Sequence, residues 1–162
     1  MRLLVTVIAI TLALGCKKEP AAVTTAPQLP VFELRLVLDS PSVDSEQVAL
    51  VHRDAVGHVR ELLNLQTPPV LNGAMVKEAW PWKRGSVMGM DIMLTDKGRE
   101  QLAELTRRNV GKQVAIIICG QVREIKKIQS EYDFGTFAVI SNWTEEEAIA
   151  LAKKIRESAV KR

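Results

Sequence analysis

Catalysis in a chain of this size needs a nucleophile near a base, a set of metal ligands, or a reactive thiol, and the candidates are few. Histidine occurs twice, at His52 and His58. Neither lies near a Gly-x-Ser-x-Gly elbow or a cysteine with a family signature, so nothing points to nucleophilic catalysis. A hairpin could bring the two imidazoles face to face. Two ligands are too few for zinc, however, and no third falls at a suitable spacing, so surface histidines beside a turn are the simpler reading. Met88, Met90 and Met93 carry thioethers of the kind that hold Cu(I). Met88 and Met90 also alternate with Ile92 and Leu94, which is the spacing of a strand's buried face, while Met93 points the other way. That pattern predicts core packing. Cys119 has no neighbouring cysteine to pair with. With Gly120 it forms a two-residue turn whose first position takes a positive φ, at a cost of roughly 1–2 kcal/mol for a non-glycine residue.

With no reactive constellation, binding remains. Trp80 and Trp82 flank Pro81 in what reads as a turn, an arrangement that leaves at least one indole exposed as an anchor for a peptide or partner; the alternative is a lid over a sheet edge. Lys126 and Lys127, with Arg107, Arg108 and Lys112, could form a basic patch, though such charges usually make only a solvated face. The formal net charge of +3 is too mild to imply nucleic acid. No motif asks for a cofactor, a metal or a small-molecule substrate. The chain reads as non-enzymatic.

The elements that would carry these residues are written in the hydrophobic pattern. Val31 to Leu38 alternates strictly, with Phe32, Leu34, Leu36 and Leu38 on one face and Glu33 and Arg35 on the other, as in a half-buried strand. Gln47 to His52 and Gly57 to Leu63 read as a strand pair joined through Asp54-Ala55-Val56-Gly57, the second member being also compatible with a short helix. Thr67-Pro68-Pro69 is a break. Asn72 caps a short helix over Gly73 to Ala79, and Ser86 to Leu94 is a strand. Thr95 and Asp96 open a helix whose stripe is Leu102, Ala103, Leu105 and Thr106, stopped by Asn109 and Gly111. Val114 to Ile118 is a β-branched run covered on both faces, and it returns through Cys119-Gly120 into Gln121 to Ile128, with Val122 and Ile125 apolar. Asp133-Phe134-Gly135 turns into strand Thr136 to Ser141. Thr144 and Glu147 form a capping box, and Trp143 with Ala148 a hydrophobic staple, at the head of a last helix with Leu151, Ala152 and Ile155 inward. The expected architecture is α+β, a single antiparallel or mixed sheet with two to three helices packed on one face.

At the other end, Arg2 and the apolar run Leu3 to Leu14 make an export signal too short to span a bilayer. Leu12-Ala13-Leu14-Gly15-Cys16 resembles a bacterial lipobox, which implies cleavage before Cys16 and a lipid on its thiol. A plain secretory signal, leaving Cys16 as a free thiol, is the alternative. Residues 16–30, rich in Pro, Ala and Thr, read as a flexible tether of about 40 Å at about 3.3 Å per residue. The expected organisation is a signal peptide over 1–15, the tether over 16–30 and one domain over 31–162, in the bacterial cell envelope and facing the periplasm. If Cys16 is lipidated, Cys119 has no disulfide partner, and the fold must rest on its core.

The string Gly98 to Val122, GREQLAELTRRNVGKQVAIIICGQV, is similar to the head subdomain of the large periplasmic domain of SecD/SecDF. There too a helix opening with Gly and ending in an Asn-x-Gly-Lys junction precedes a buried strand, a turn and a second strand. Pro69-Val70-Leu71-Asn72-Gly73 before it and the Thr144-led helix after it agree in order. The resemblance implies a surface that contacts translocating or envelope polypeptides. In that family, motion of the head draws on proton flow through membrane helices, and nothing in this sequence supplies a charge path of that kind. The expectation is therefore a tethered binding or accessory module, with Trp80, Trp82 and an open sheet edge as contacts. The alternatives are a structural or assembly lipoprotein with one fixed envelope partner, and a methionine-based copper protein.

Overall fold

The computed structural model describes residues 30–51 and 59–160. The expected signal, the expected tether up to residue 29, His52, His58 and the Asp54 turn lie outside the described residues. Nine strands and two helices follow in order: β1 (Phe32–Leu38), β2 (Ser45–Val51), β3 (Val59–Gln66), β4 (Leu71–Asn72), β5 (Val76–Arg84), β6 (Val87–Leu94), α1 (Asp96–Arg108), β7 (Gln113–Ile118), β8 (Gln121–Lys127), β9 (Thr136–Ile140) and α2 (Glu145–Val160).

These strands make two sheets, where the sequence had suggested one. The larger runs β2-β3-β1-β7-β8, with the short β4 also paired to β1; the smaller is β5-β6-β9. All pairings are antiparallel. The division begins at Asn72, whose side chain accepts from the Ala74 amide and caps a single 3-10 turn, Gly73–Met75. The expected helix through Ala79 stops there because Val76 already enters β5. Pro81 sits within β5 rather than in a turn. An edge strand tolerates a residue without an N–H, and β5 is such an edge.

Between the sheets lies the main core. Phe32, Leu34 and Leu36 of β1 and Val114, Ile116 and Ile118 of β7 meet Met88, Met90, Ile92 and Leu94 of β6, Phe137 and Val139 of β9, and the buried stripes of both helices. Met88 and Met90 are thus core residues, and Met93 faces the opposite side at half burial. α1 begins where Thr95 Oγ1 accepts from the Gly98 amide. Gly98 is needed for contact: a Cβ there would lie 2.8 Å from the Met75 carbonyl oxygen. α2 carries the anticipated capping box in full, with Thr144 N donating to Glu147 Oε2 and Glu147 N to Thr144 Oγ1.

The second face of the large sheet is covered as well. β2 and β8, at the two ends of the row, touch each other, so the sheet curls over its own face. Inside the curl lie Leu63, Leu65, Ala115 and Ile117, with Val37, Val48, Val122 and Ile125 against them. Residues Val114 to Ile118 therefore alternate between two cores, as their unbroken apolar run requires. β1 departs from expectation for the same reason. Its charged face is not solvated: Glu33 is 6% exposed and Arg35 9%. Arg35 answers by bonding Glu33 at 2.8 Å and reaching past β3 to Glu46 at 2.7 Å.

Candidate binding surface

The outer face of the small sheet holds the two tryptophans. Register sets Trp82 opposite Gly89, with Ile140 next in the row, and Trp80 opposite Asp91, with Ala138 beyond. Trp82 does not project. Its ring lies where a Cβ on Gly89 would come within 2.2 Å, its Nε1 donates to Asp91 Oδ1 at 2.8 Å, and the Arg84 guanidinium stacks 4.9 Å from the ring centre. Both indoles are half-buried. The result is a pre-ordered aromatic face on a strand rather than an exposed pair on a turn.

Neither edge of this sheet is open among the described residues. Along β5, α2 packs close, and Arg156 donates to the Ala79 carbonyl while Lys83 pairs with Glu145. Along β9, the alternate residues Thr136, Ala138 and Ile140 turn backbone groups away from β6, and each meets a side chain. Tyr132 Oη donates to Thr136 O at 2.6 Å, Lys126 Nζ to Ala138 O at 2.9 Å, and Ile140 N to Glu124 Oε2 at 2.9 Å. Burial, and secondarily the charge of Asp91, push the Tyr132 phenol up, which keeps it a donor. Lys126 is therefore engaged with β9, while Lys127 is exposed.

A bulge in β8 aims these side chains. Ile117 pairs with Val122 but Ile116 with Glu124, so Arg123 is the extra residue. The shift returns Glu124 and Lys126 to the side facing the small sheet and sends Ile125 into the curl beside Val122. An apolar pair three apart within a strand was the sequence signal for it, since an unbroken strand would place them on opposite faces.

Sequence reasoning missed a groove. Between α1 and the far end of β1 and β3 opens a concavity of about 730 Å³, floored by Leu36, Leu38, Val70 and Leu105. Asp44 and Glu100 stand on its walls with Ser42, Gln66, Gln101 and Asn109. Glu104 at the rim is matched by Arg107 and Arg108, and the Arg107 hydrogen bond holds its carboxyl below the usual carboxylate range. The Gln101 Oε1 atom is buried without a hydrogen-bond partner among the described residues. The lining thus combines an apolar floor with surplus acceptors. Among the described residues no three His, Cys, Asp or Glu side chains converge as metal ligands.

Fold and surfaces define the class first: a two-sheet α+β module with an open groove, a pre-ordered aromatic face and no helix, among the described residues, long and apolar enough to cross a membrane. The family follows from comparison. The family described as SecDF, P1 head subdomain, matches residues 46–161, and the chain belongs to it. The protein translocase subunit SecD of Sebaldella termitidis is 31% identical over 137 residues, covering 79% of this chain and 33% of that protein. The SecD subunit of Leptotrichia buccalis is 28% identical over 94 residues, 57% of this chain and 23% of the relative. The chain thus spans about a third or less of these relatives. Among solved structures, SecDF described as a membrane component that enhances protein export superposes with a TM-score of 0.61 at 22% identity, over 80% of this chain and 63% of that one. SecDF in a super-membrane-facing form gives 0.62 at 23%, over 80% and 19%. At these identities the structures establish a shared fold.

Proposed function

We propose that this chain is a non-enzymatic, polypeptide-binding accessory module of the bacterial envelope, lipid-anchored through Cys16, facing the periplasm and working beside protein export. The observation that carries the reading is the groove beside α1 in a chain related to SecD. An apolar floor with acceptor-rich walls suits an extended polypeptide, which brings side chains to bury and N–H groups to donate. The carboxylates of Asp44 and Glu100, which form no ion pair among the described residues, favour client segments in which Lys or Arg accompany apolar residues.

The test is photo-crosslinking in cells from Val70 in the groove, with Trp82 and Lys127 as separate positions. Many newly exported, unfolded clients at Val70 support the proposal; a client set no richer at Val70 than at exposed Lys127 overturns it. The Trp80–Trp82 face favours a second reading, a structural or assembly lipoprotein holding one fixed partner. A pre-ordered aromatic surface loses little side-chain entropy on docking. A single stoichiometric product at Trp82, with none at Val70, would select that reading.

A further inference from the structure

The seam between β8 and β9 carries an inference beyond the groove. The outward edge of β9 is closed by side chains from β8 and the following loop, which occupy its backbone at three successive outward positions. A strand laid there would make the same bonds with its own backbone. We propose that the β9 edge is a strand acceptor for an extended polypeptide segment, held shut by a latch that exchanges its side-chain bonds for a backbone ladder.

Three features favour exchange over simple shielding. Glu124 and Lys126 lie 3.2 Å from each other, so when both release β9 each keeps its counter-charge and neither is stranded. Their side chains keep 20% and 41% exposure, so release requires little rehydration. The Arg123 bulge interrupts the β7–β8 ladder immediately before Glu124, which gives β8 a place to bend away from β9. Once the edge is free, the half-exposed side chain of Ile140 stands on it to pack against the incoming strand. The partner class rests on the polypeptide-binding reading above; the site does not.

The experiment uses the full chain in detergent and the peptide Lys-Val-Thr-Val-Thr-Val-Lys, with amide exchange at Ile140 as the readout. Saturating peptide is expected to slow that exchange about tenfold, because a backbone carbonyl replaces a side-chain oxygen. The double variant Glu124→Leu/Lys126→Met should expose the Ile140 amide without peptide and bind the peptide about tenfold more tightly, two of the three latch bonds being gone and only that of Tyr132 left. Ile140→Pro deletes the outward N–H at no loss to the β6 ladder and should abolish binding. Unchanged Ile140 exchange with peptide in both wild type and the double variant overturns the proposal, as does wild-type affinity in Ile140→Pro. A groove variant, Leu38→Glu, separates this from the function above. If it removes all peptide binding while Ile140 never responds, the strand acceptor fails and the groove stands. If Ile140 is still protected while Val70 captures no clients, the reverse holds.

Discussion

Two acidic–basic pairs in this protein share a composition and differ in circumstance. Glu33 and Arg35 lie inside the curl of the large sheet, with side chains 8% and 11% exposed. Glu124 and Lys126 lie at the seam between the sheets, each spending a bond on the backbone of β9. In the first region the strands close against one another, and Arg35 is held between buried Glu33 and Glu46 at the rim. In the second the strands stop short of pairing, and half-solvated side chains bridge the gap. A buried ion pair is fixed by the desolvation of its members, whereas a seam pair is held by bonds that water or another backbone can replace. The curl is therefore a rigid base and the seam a place that can open.

The comparison breaks most sharply on Arg35→Met, which leaves Glu33 buried and alone. The expected loss is about 3–5 kcal/mol in urea unfolding, and Glu33→Leu/Arg35→Met together should recover most of it. If the double variant is no better than the single, the cost comes from the lost Arg35–Glu46 bond or from packing rather than from a stranded Glu33. At the seam, Lys126→Met should cost about 1 kcal/mol, since a part-solvated bond to Ala138 O is lost and Glu124 can turn to water. A loss equal to that of Arg35→Met would erase the distinction between the two regions. Tyr132→Phe removes a third seam bond and should cost about 1 kcal/mol. Because the phenol is held above its ordinary value of 10.0, its contribution is complete below that pH and is lost as pH rises through the folded value. Wild-type stability should therefore fall more steeply above pH 10.0 than that of Tyr132→Phe. The smallest effect lies outside both regions. Cys119 holds a φ of 51° in its turn, and Cys119→Asn should stabilise by up to about 1 kcal/mol in thermal unfolding.

Much of the local structure was legible because its signals are local. Thr95, Thr144 and Glu147 announce their helix starts by hydrogen bonds that span three residues, and the structure holds each of them. The Cys119-Gly120 turn takes the positive φ at both residues that a tight hairpin demands. The Asn-x-Gly-Lys junction carried the family resemblance because a helix stop and a strand start lie within a few residues of each other. Trp80-Pro81-Trp82 misled because proline marks a turn in most contexts and only the strand's place at an edge excuses it. Glu33 and Arg35 misled because alternation says which residues share a face, not whether that face meets water. The groove was invisible for a related reason: Leu38, Asp44, Val70 and Glu100 belong to four separate segments of the chain.

The amino-acid sequence by itself determined the helices, most strands, the hairpin turn and the family, since each depends on neighbours within a few bonds or on a contiguous motif. Only the tertiary structure decided that the strands divide into two sheets and that the larger one curls to bury its charged face. It also decided that a bulge aims Glu124 and Lys126 at β9. Those outcomes depend on which surfaces meet across long chain separations, where burial and hydrogen-bond satisfaction are settled jointly by many residues rather than one segment at a time.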